Sequence, residues 1–401
     1  MSKIINIGFL DIRDIKEDLA AEISQIENIG VLIESEESQI FLKNCEKMNI
    51  GISIKLPKDM QTIVQSEDIK LDRDYLEGIS EPVAVLVSGS ITFEDNIDSS
   101  LVNEKIYSMI VAGEIIVPKR IVAVVQSKSI IDGQFLIYKN GYTLFDDTIK
   151  MSNQFLNSLK PNSKLAFNEL LVMEDIDLAL FEEKISNIQV LTKLVITADN
   201  ESKLSQYIDE YYLIDKTVIP KGSKYMDNNI YIDATSIKKY KDNILFVDGE
   251  VEIYLKDDIK IDEYIKFLIC KKIICGSRDL PKIEKILGHD DIEIEIVEGK
   301  PIRNNGKMIL SGDLEHMEEE ISIRNSGKLV LEKNLNYEKF NEKVVSIINN
   351  GLIIVPEEKI GIVKSKIIEN RGSIKSLEEN KEKLKEDEEN ILYANMGELK
   401  L

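Results

Sequence analysis

Gly351-Leu-Ile-Ile-Val-Pro356 has a near copy upstream at Gly113-Glu-Ile-Ile-Val-Pro118. Between them lie Lys193-Leu-Val-Ile196 and Lys272-Ile-Ile-Cys275, and Gly30-Val-Leu-Ile33 fills the same slot near the N-terminus. The closing residues Val117, Ile196, Cys275 and Val355 are 79, 79 and 80 residues apart, and Ile33 precedes Val117 by 84. A fixed period running through a chain of 401 residues is the signature of a repeat architecture, so this spacing decides the fold.

Two further landmarks keep the period. Gly8-Phe-Leu-Asp-Ile12, Gly89-Ser-Ile-Thr-Phe93, Glu169-Leu-Leu-Val172, Gly249-Glu-Val-Glu-Ile253 and Gly327-Lys-Leu-Val-Leu331 begin 81, 80, 80 and 78 residues apart. Their apolar residues lie two apart, the period of a half-buried strand. The third landmark is anchored on Ile23, Ile106, Ile185, Ile265 and Val344, which step by 83, 79, 80 and 79. Here apolar residues fall three apart with Glu and Lys between them, which predicts one face of an amphipathic helix. Each unit therefore reads strand, helix, strand. A second short helix follows in Gln39–Cys45, Pro118–Gln126, Leu280–Leu287 and Pro356–Val363, and then a third strand, as in Gly51–Leu56 and Phe135–Tyr138.

Leu191-Thr-Lys-Leu194-Val-Ile196-Thr-Ala-Asp199 resembles the L-x-x-L-x-L-x-x-N core of a leucine-rich repeat, and Ile26-Glu-Asn-Ile29-Gly-Val31-Leu-Ile33 is a more distant match. Ile replaces Leu almost throughout, most copies lack the Asn, and the visible period is 80 rather than about 24. The resemblance implies an α/β repeat solenoid with mainly parallel strands and no functional residues carried over. Its five units span about 1–80, 81–160, 161–240, 241–319 and 320–375 of one elongated repeat domain. Stacking would give them a continuous core. Residues 376–401 are expected as a charged C-terminal cap or tail, because Ser376 to Asn390 is almost wholly charged or polar.

Asp and Glu number 72 against 51 Lys and Arg, leaving a formal charge of −21. Nucleic acid and anionic membrane surfaces are disfavoured as partners, since both want a basic face. Aromatic residues are 6% and Trp is absent, so stacking platforms for bases are scarce. The N-terminal apolar run is interrupted by Asp11, Arg13 and Asp14, which does not fit a secretory signal, and no stretch approaches a membrane span. Cys45, Cys270 and Cys275 are an odd, scattered set that reads as reduced thiols of a cytoplasmic protein.

The chemistry-bearing motifs are missing: no glycine-rich phosphate loop, no H-E-x-x-H, no G-x-S-x-G. Cys270-x4-Cys275 lacks neighbours to complete a metal site. His289, in Gly288-His-Asp-Asp291, reads as a polar turn, and His316, in Glu315-His-Met-Glu-Glu-Glu320, as part of a solvated acidic cluster. No cofactor and no enzymatic activity are expected. Eight tyrosines fall between Tyr207 and Tyr264, and Tyr211, Tyr212, Tyr225 and Tyr231 are the candidate interface residues, because Tyr joins apolar area to a polar tip. The expected role is a protein-binding scaffold whose negative face would suit a basic protein partner, with end-to-end self-association and an uncharacterised enzyme as the alternatives.

Overall fold

Ile23, Ile106, Ile185 and Val344 each close a six- or seven-residue helix and open a strand, taking extended backbone where the helix stops. The β-branched anchor favours the strand side of that boundary. Ile265 opens its strand in the same place after a single 3₁₀ turn, Ile261–Glu263. In all five strands the next residue is an extra one. Ser2 and Lys3 pair with Ile23 and Gln25, and the ladders step likewise over Tyr107, Ser186, Lys266 and Val345. These are β-bulges. The expectation of a helix face at the third landmark is therefore corrected. Apolar residues three apart both face the core because one bulged residue sits between them.

The structure, a computed structural model, describes residues 2–241, 243–255, 258–288, 291–311, 314, 319–377 and 391–401. It is mixed α/β, with short helices between short parallel strands, and the described strands form five blocks of four rungs. The first block is Ile391–Lys400, Ser2–Asp11, Ile23–Glu34 and Glu46–Lys55, side by side in that order. The second is two narrow sheets that share coils, through Gln61–Gln65, Val83–Val87, Ile106–Val111 and Ser129–Ile131, and through Ile69–Leu71, Ile91–Phe93, Ile115–Pro118 and Phe135–Tyr138. The third runs Thr143–Lys150, Ser163–Val172, Ile185–Thr197, Lys216–Ile219. The fourth is built on Asn243–Ile253 and Ile265–Cys275, and the fifth is again two narrow sheets, one through Ile321–Asn325 and Val344–Asn349 and one through Lys328–Leu331 and Leu352–Val355. Among the described residues every strand pairing is parallel, so none of them forms a hairpin.

The strand–helix–strand order repeats, but the ladders do not run on from block to block: among the described residues all strand pairs stay within one block. Among the described residues three glycines have positive φ, Gly141, Gly222 and Gly299, and they stand between the second and third, third and fourth, and fourth and fifth blocks. Left-handed backbone at these positions costs glycine little. Pro57, which has no N–H to extend a ladder, stands between the first and second blocks.

The chain divides into two compact units, residues 1–221 with 390–401, and residues 222–389. Within the first unit each block has its own apolar core, and Phe9, Val31 and Ile33 of the first block also pack on Ala84, Leu86 and Ile110 of the second. Ile116 and Tyr138 meet Tyr142 and Ala166 between the second and third. Within the second unit, charge joins the blocks: Arg303 lies 2.5 Å from Glu252, and Arg324 pairs with Glu295, which also holds Lys272 at 2.9 Å. The anchors Ile23, Ile106, Ile185, Ile265 and Val344 are all buried at equivalent positions.

The expected tail 376–401 splits. Residues 378–390 lie outside the described residues. Ile391–Lys400 is a ten-residue strand that pairs with Ser2–Asp11 and gives the first block its fourth rung. His289 and His316 also lie outside the described residues.

Candidate functional site

In the first unit the chain leaves the helix Ala198–Leu204, touches the third block through the bridge Ile208–Ile188, and turns at Asp209-Glu210 before the last strand. The Asp209 carboxylate is fastened from three sides. It accepts from the Tyr142 hydroxyl at 2.7 Å, from Asn187 Nδ2 at 3.3 Å and from Lys139 Nζ at 2.9 Å. The next residue, Glu210, has φ 53° and ψ 36°. Every other described non-glycine residue with positive φ is an asparagine, which tolerates that region. A glutamate held there stores strain on the order of 1–3 kcal/mol, and strained backbone of this kind gathers at functional sites.

Beyond Glu210, Tyr211–Leu213 form one 3₁₀ turn. Tyr211 points inward, 8% exposed, and its hydroxyl donates to Glu201 Oε1 at 2.5 Å. Burial, and then the bond to Glu201, pushes its phenol well above the usual tyrosine value, so it stays protonated. Lys216 Nζ lies 4.8 Å from the Tyr211 ring centre and donates to the Tyr211 carbonyl at 3.3 Å. Tyr212 stands edge-on to Tyr211, centroids 5.7 Å apart, and projects outward. Tyr212 is 90% exposed and Leu213 is 83% exposed. A buried anchor thus holds two adjacent apolar side chains in water, with Glu210 and Asp215 exposed beside them.

The four candidate tyrosines differ in burial and are divided between the two units. Tyr211 is core-facing and Tyr212 is the exposed member of the pair. Tyr225 and Tyr231 belong to the second unit. Tyr225 is half-buried, stacked on Phe246 at 6.0 Å with its hydroxyl donating to Asp248, and Tyr231 is 42% exposed. Leu213 and Glu210 were not singled out from sequence. The signal available was an apolar Tyr-Tyr-Leu run directly after Asp-Glu, a placement that a folded core does not need.

The first unit also holds two adjoining clefts of about 420 and 370 Å³ that share Lys70 and Thr92. Their walls carry Glu94, Asp95, Asp146 and Asp147. Lys70 lies 3.7 Å from Glu94 and 3.8 Å from Asp146, and Arg120 lies 2.5 Å from Asp95, so their carboxylates are largely met by the chain's own cations. The Tyr138 phenol at the cleft wall is pushed up by burial and donates to the Phe93 carbonyl at 2.7 Å, which keeps it a hydrogen-bond donor. Cys270 and Cys275 face the core of the fourth block, and burial raises their thiols to about 12 and about 11. Neither is a thiolate near neutral pH. Among the described residues no group of three His, Cys, Asp or Glu is placed to hold a metal ion. No helix among them is long and apolar enough to cross a membrane.

No known protein family, curated protein or solved structure matches the chain.

Proposed function

We propose that this chain is a non-enzymatic, cytoplasmic protein-binding scaffold, an acidic α/β solenoid of leucine-rich-repeat-like coils, and that it docks its partner on the Tyr212–Leu213 turn. The observation that carries this reading is the pair of adjacent, almost fully exposed apolar side chains on a turn held by Tyr211, Asp209 and the left-handed Glu210. Tyrosine on a rigid support is a common anchor of protein interfaces, because it buries a large area for little lost rotamer freedom. Glu210, Asp215 and the overall charge of −21 favour a basic surface around the pocket that receives the pair.

The test is affinity capture from native lysate with two baits in parallel, the wild type and Tyr212→Ser combined with Leu213→Ser. Neither side chain supports the core, so the variant should melt as the wild type does. The reading expects a basic protein retained on the wild type and lost from the variant, with an association rate that falls as salt rises. Equal retention on both baits contradicts it.

A further inference from the structure

The first block is held along one edge column by repeated Asn-x-Gly triplets. Asn6, Asn28, Asn49 and Asn395 all take left-handed backbone, with φ of 55, 57, 50 and 58°. Their amides form a one-way chain: Asn49 donates to Asn28 at 2.6 Å, Asn28 to Asn6 at 3.0 Å, and Asn6 to Asn395 at 3.0 Å. The glycines two residues on are stacked so closely that a Cβ on Gly51, Gly30 or Gly8 would sit 2.5–2.6 Å from the carbonyl oxygen of the preceding rung's glycine. Those three positions can only be glycine. Gly397 is different. A Cβ there meets nothing within 4 Å, and its φ lies outside the left-handed region. Nothing within one copy requires glycine at 397.

The two outer strands of this block, Ile391–Lys400 and Glu46–Lys55, are ten residues long, and among the described residues each leaves one edge of backbone groups outside any ladder. Such edges are templates for pairing with another chain. At one edge the outward group of the amide chain is the Asn395 Nδ2 donor, and at the other it is the Asn49 Oδ1 acceptor. We propose that copies of this chain assemble edge to edge, Ile391–Lys400 of one copy stacking parallel on Glu46–Lys55 of the next. In this register Asn395 donates to Asn49 of the second copy, Met396 lies against its Ile50, and Gly397 lies against its Gly51. The required glycine at 397 then has the same cause as at 8, 30 and 51. Because the two edges differ, the contact is head-to-tail, and each added copy presents a fresh edge to the next. The inference is independent of the partner docked at Tyr212.

Two full-chain experiments test it. In sedimentation across a concentration series, the wild type gains mass as concentration rises. Gly397→Val stays at the mass of one chain with an unchanged melting temperature, since its side chain enters open space in one copy and collides only in the stack. Gly306, on the first rung of the fifth block, also faces open space, and Gly306→Val in the same series reports whether that rung stacks too. A wild type that stays single at every concentration, or a Gly397→Val variant that associates like the wild type, overturns the proposal whatever Gly306→Val does. In the second experiment Ile50→Cys and Met396→Cys chains are mixed and oxidised. Within one copy these positions are three rungs, roughly 14 Å, apart, beyond disulfide reach. A cross-linked dimer containing one chain of each kind is expected, and its absence from an associating sample overturns the register.

Discussion

Ile265 and Leu268 are both fully buried in the core of the fourth block although they lie three positions apart, because Lys266 is a bulge between them. Truncation should follow this division. Ile265→Ala removes core volume and should cost about 2–5 kcal/mol. Lys266→Ala, one residue away and exposed, should change stability by no more than about 0.5 kcal/mol. Urea unfolding of the two variants checks this, and equal midpoints would refute the assignment.

In the fifth block a second amide ladder runs through the buried Asn304, Asn325 and Asn349 to the exposed Asn370. Asn304 donates to Asn325 at 2.7 Å, Asn325 to Asn349 at 2.7 Å and Asn349 to Asn370 at 2.8 Å. Asn349→Ala leaves neighbours unpaired and should cost about 1–3 kcal/mol. Asn349→Asp should be worse at neutral pH, because a buried carboxylate would face the Asn370 carbonyl oxygen without a proton to offer it. Burial without a cation raises the folded pKa of that new carboxyl above its unfolded value. The variant should therefore regain stability as pH falls toward the carboxylate range and lose it as pH rises. Denaturation at several pH values reads the slope, and a variant that weakens further in acid relative to wild type would contradict the ladder.

Asp98 caps the helix Ser99–Lys105. It accepts from the Ser100 hydroxyl at 2.5 Å, the Leu101 N–H at 3.0 Å and Arg73 at 2.7 Å. Those bonds, the Ser100 hydroxyl first, hold its carboxyl well below the usual range. A depressed folded pKa means stability present above the unfolded value, near pH 4, and lost as pH falls through the folded one. The deficit of Asp98→Asn relative to wild type should therefore be full at neutral pH and shrink on acidification. A deficit independent of pH would mean the carboxylate's charge plays no part.

The thiols should separate by rate. Cys270 and Cys275 are core residues with raised pKa values, whereas Cys45 is only partly buried. Iodoacetamide on the native protein at pH 8, followed by peptide mass spectrometry, should mark Cys45 first and the other two only on unfolding. Early modification of Cys270 would place its strand wrongly.

The period of 80 was legible because Ile196, Cys275 and Val355 recur at matching places in buried strands. Three or four unequal coils per unit were expected as well, but not the residues that mark each one, since their shorter period is carried by small polar triplets. Asn6-Ile-Gly8, Asn28-Ile-Gly30, Asn49-Ile-Gly51 and Asn395-Met-Gly397 form one set, and Asn304-Asn-Gly306, Asn325-Ser-Gly327, Asn349-Asn-Gly351 and Asn370-Arg-Gly372 form another. These make the ladders, and apolar periodicity passes over them. The helix reading at Ile106–Met109 arose because a bulge imitates a helical spacing. The final strand was hidden behind the charged run that precedes Ile391. At the candidate site, composition marked the tyrosine-rich region but not the difference between Tyr211 and Tyr212, which depends on a left-handed Glu210 that no residue type announces.

The most direct test of partner docking is photo-cross-linking from position 212. A photoreactive phenylalanine analogue replaces Tyr212 in one full-length chain and Tyr107, another exposed tyrosine at 47% exposure, in a second. After irradiation in native lysate, the account predicts a discrete adduct with a basic protein from position 212 and none of that mass from position 107. No adduct at 212, or the same adducts from both positions, would contradict it.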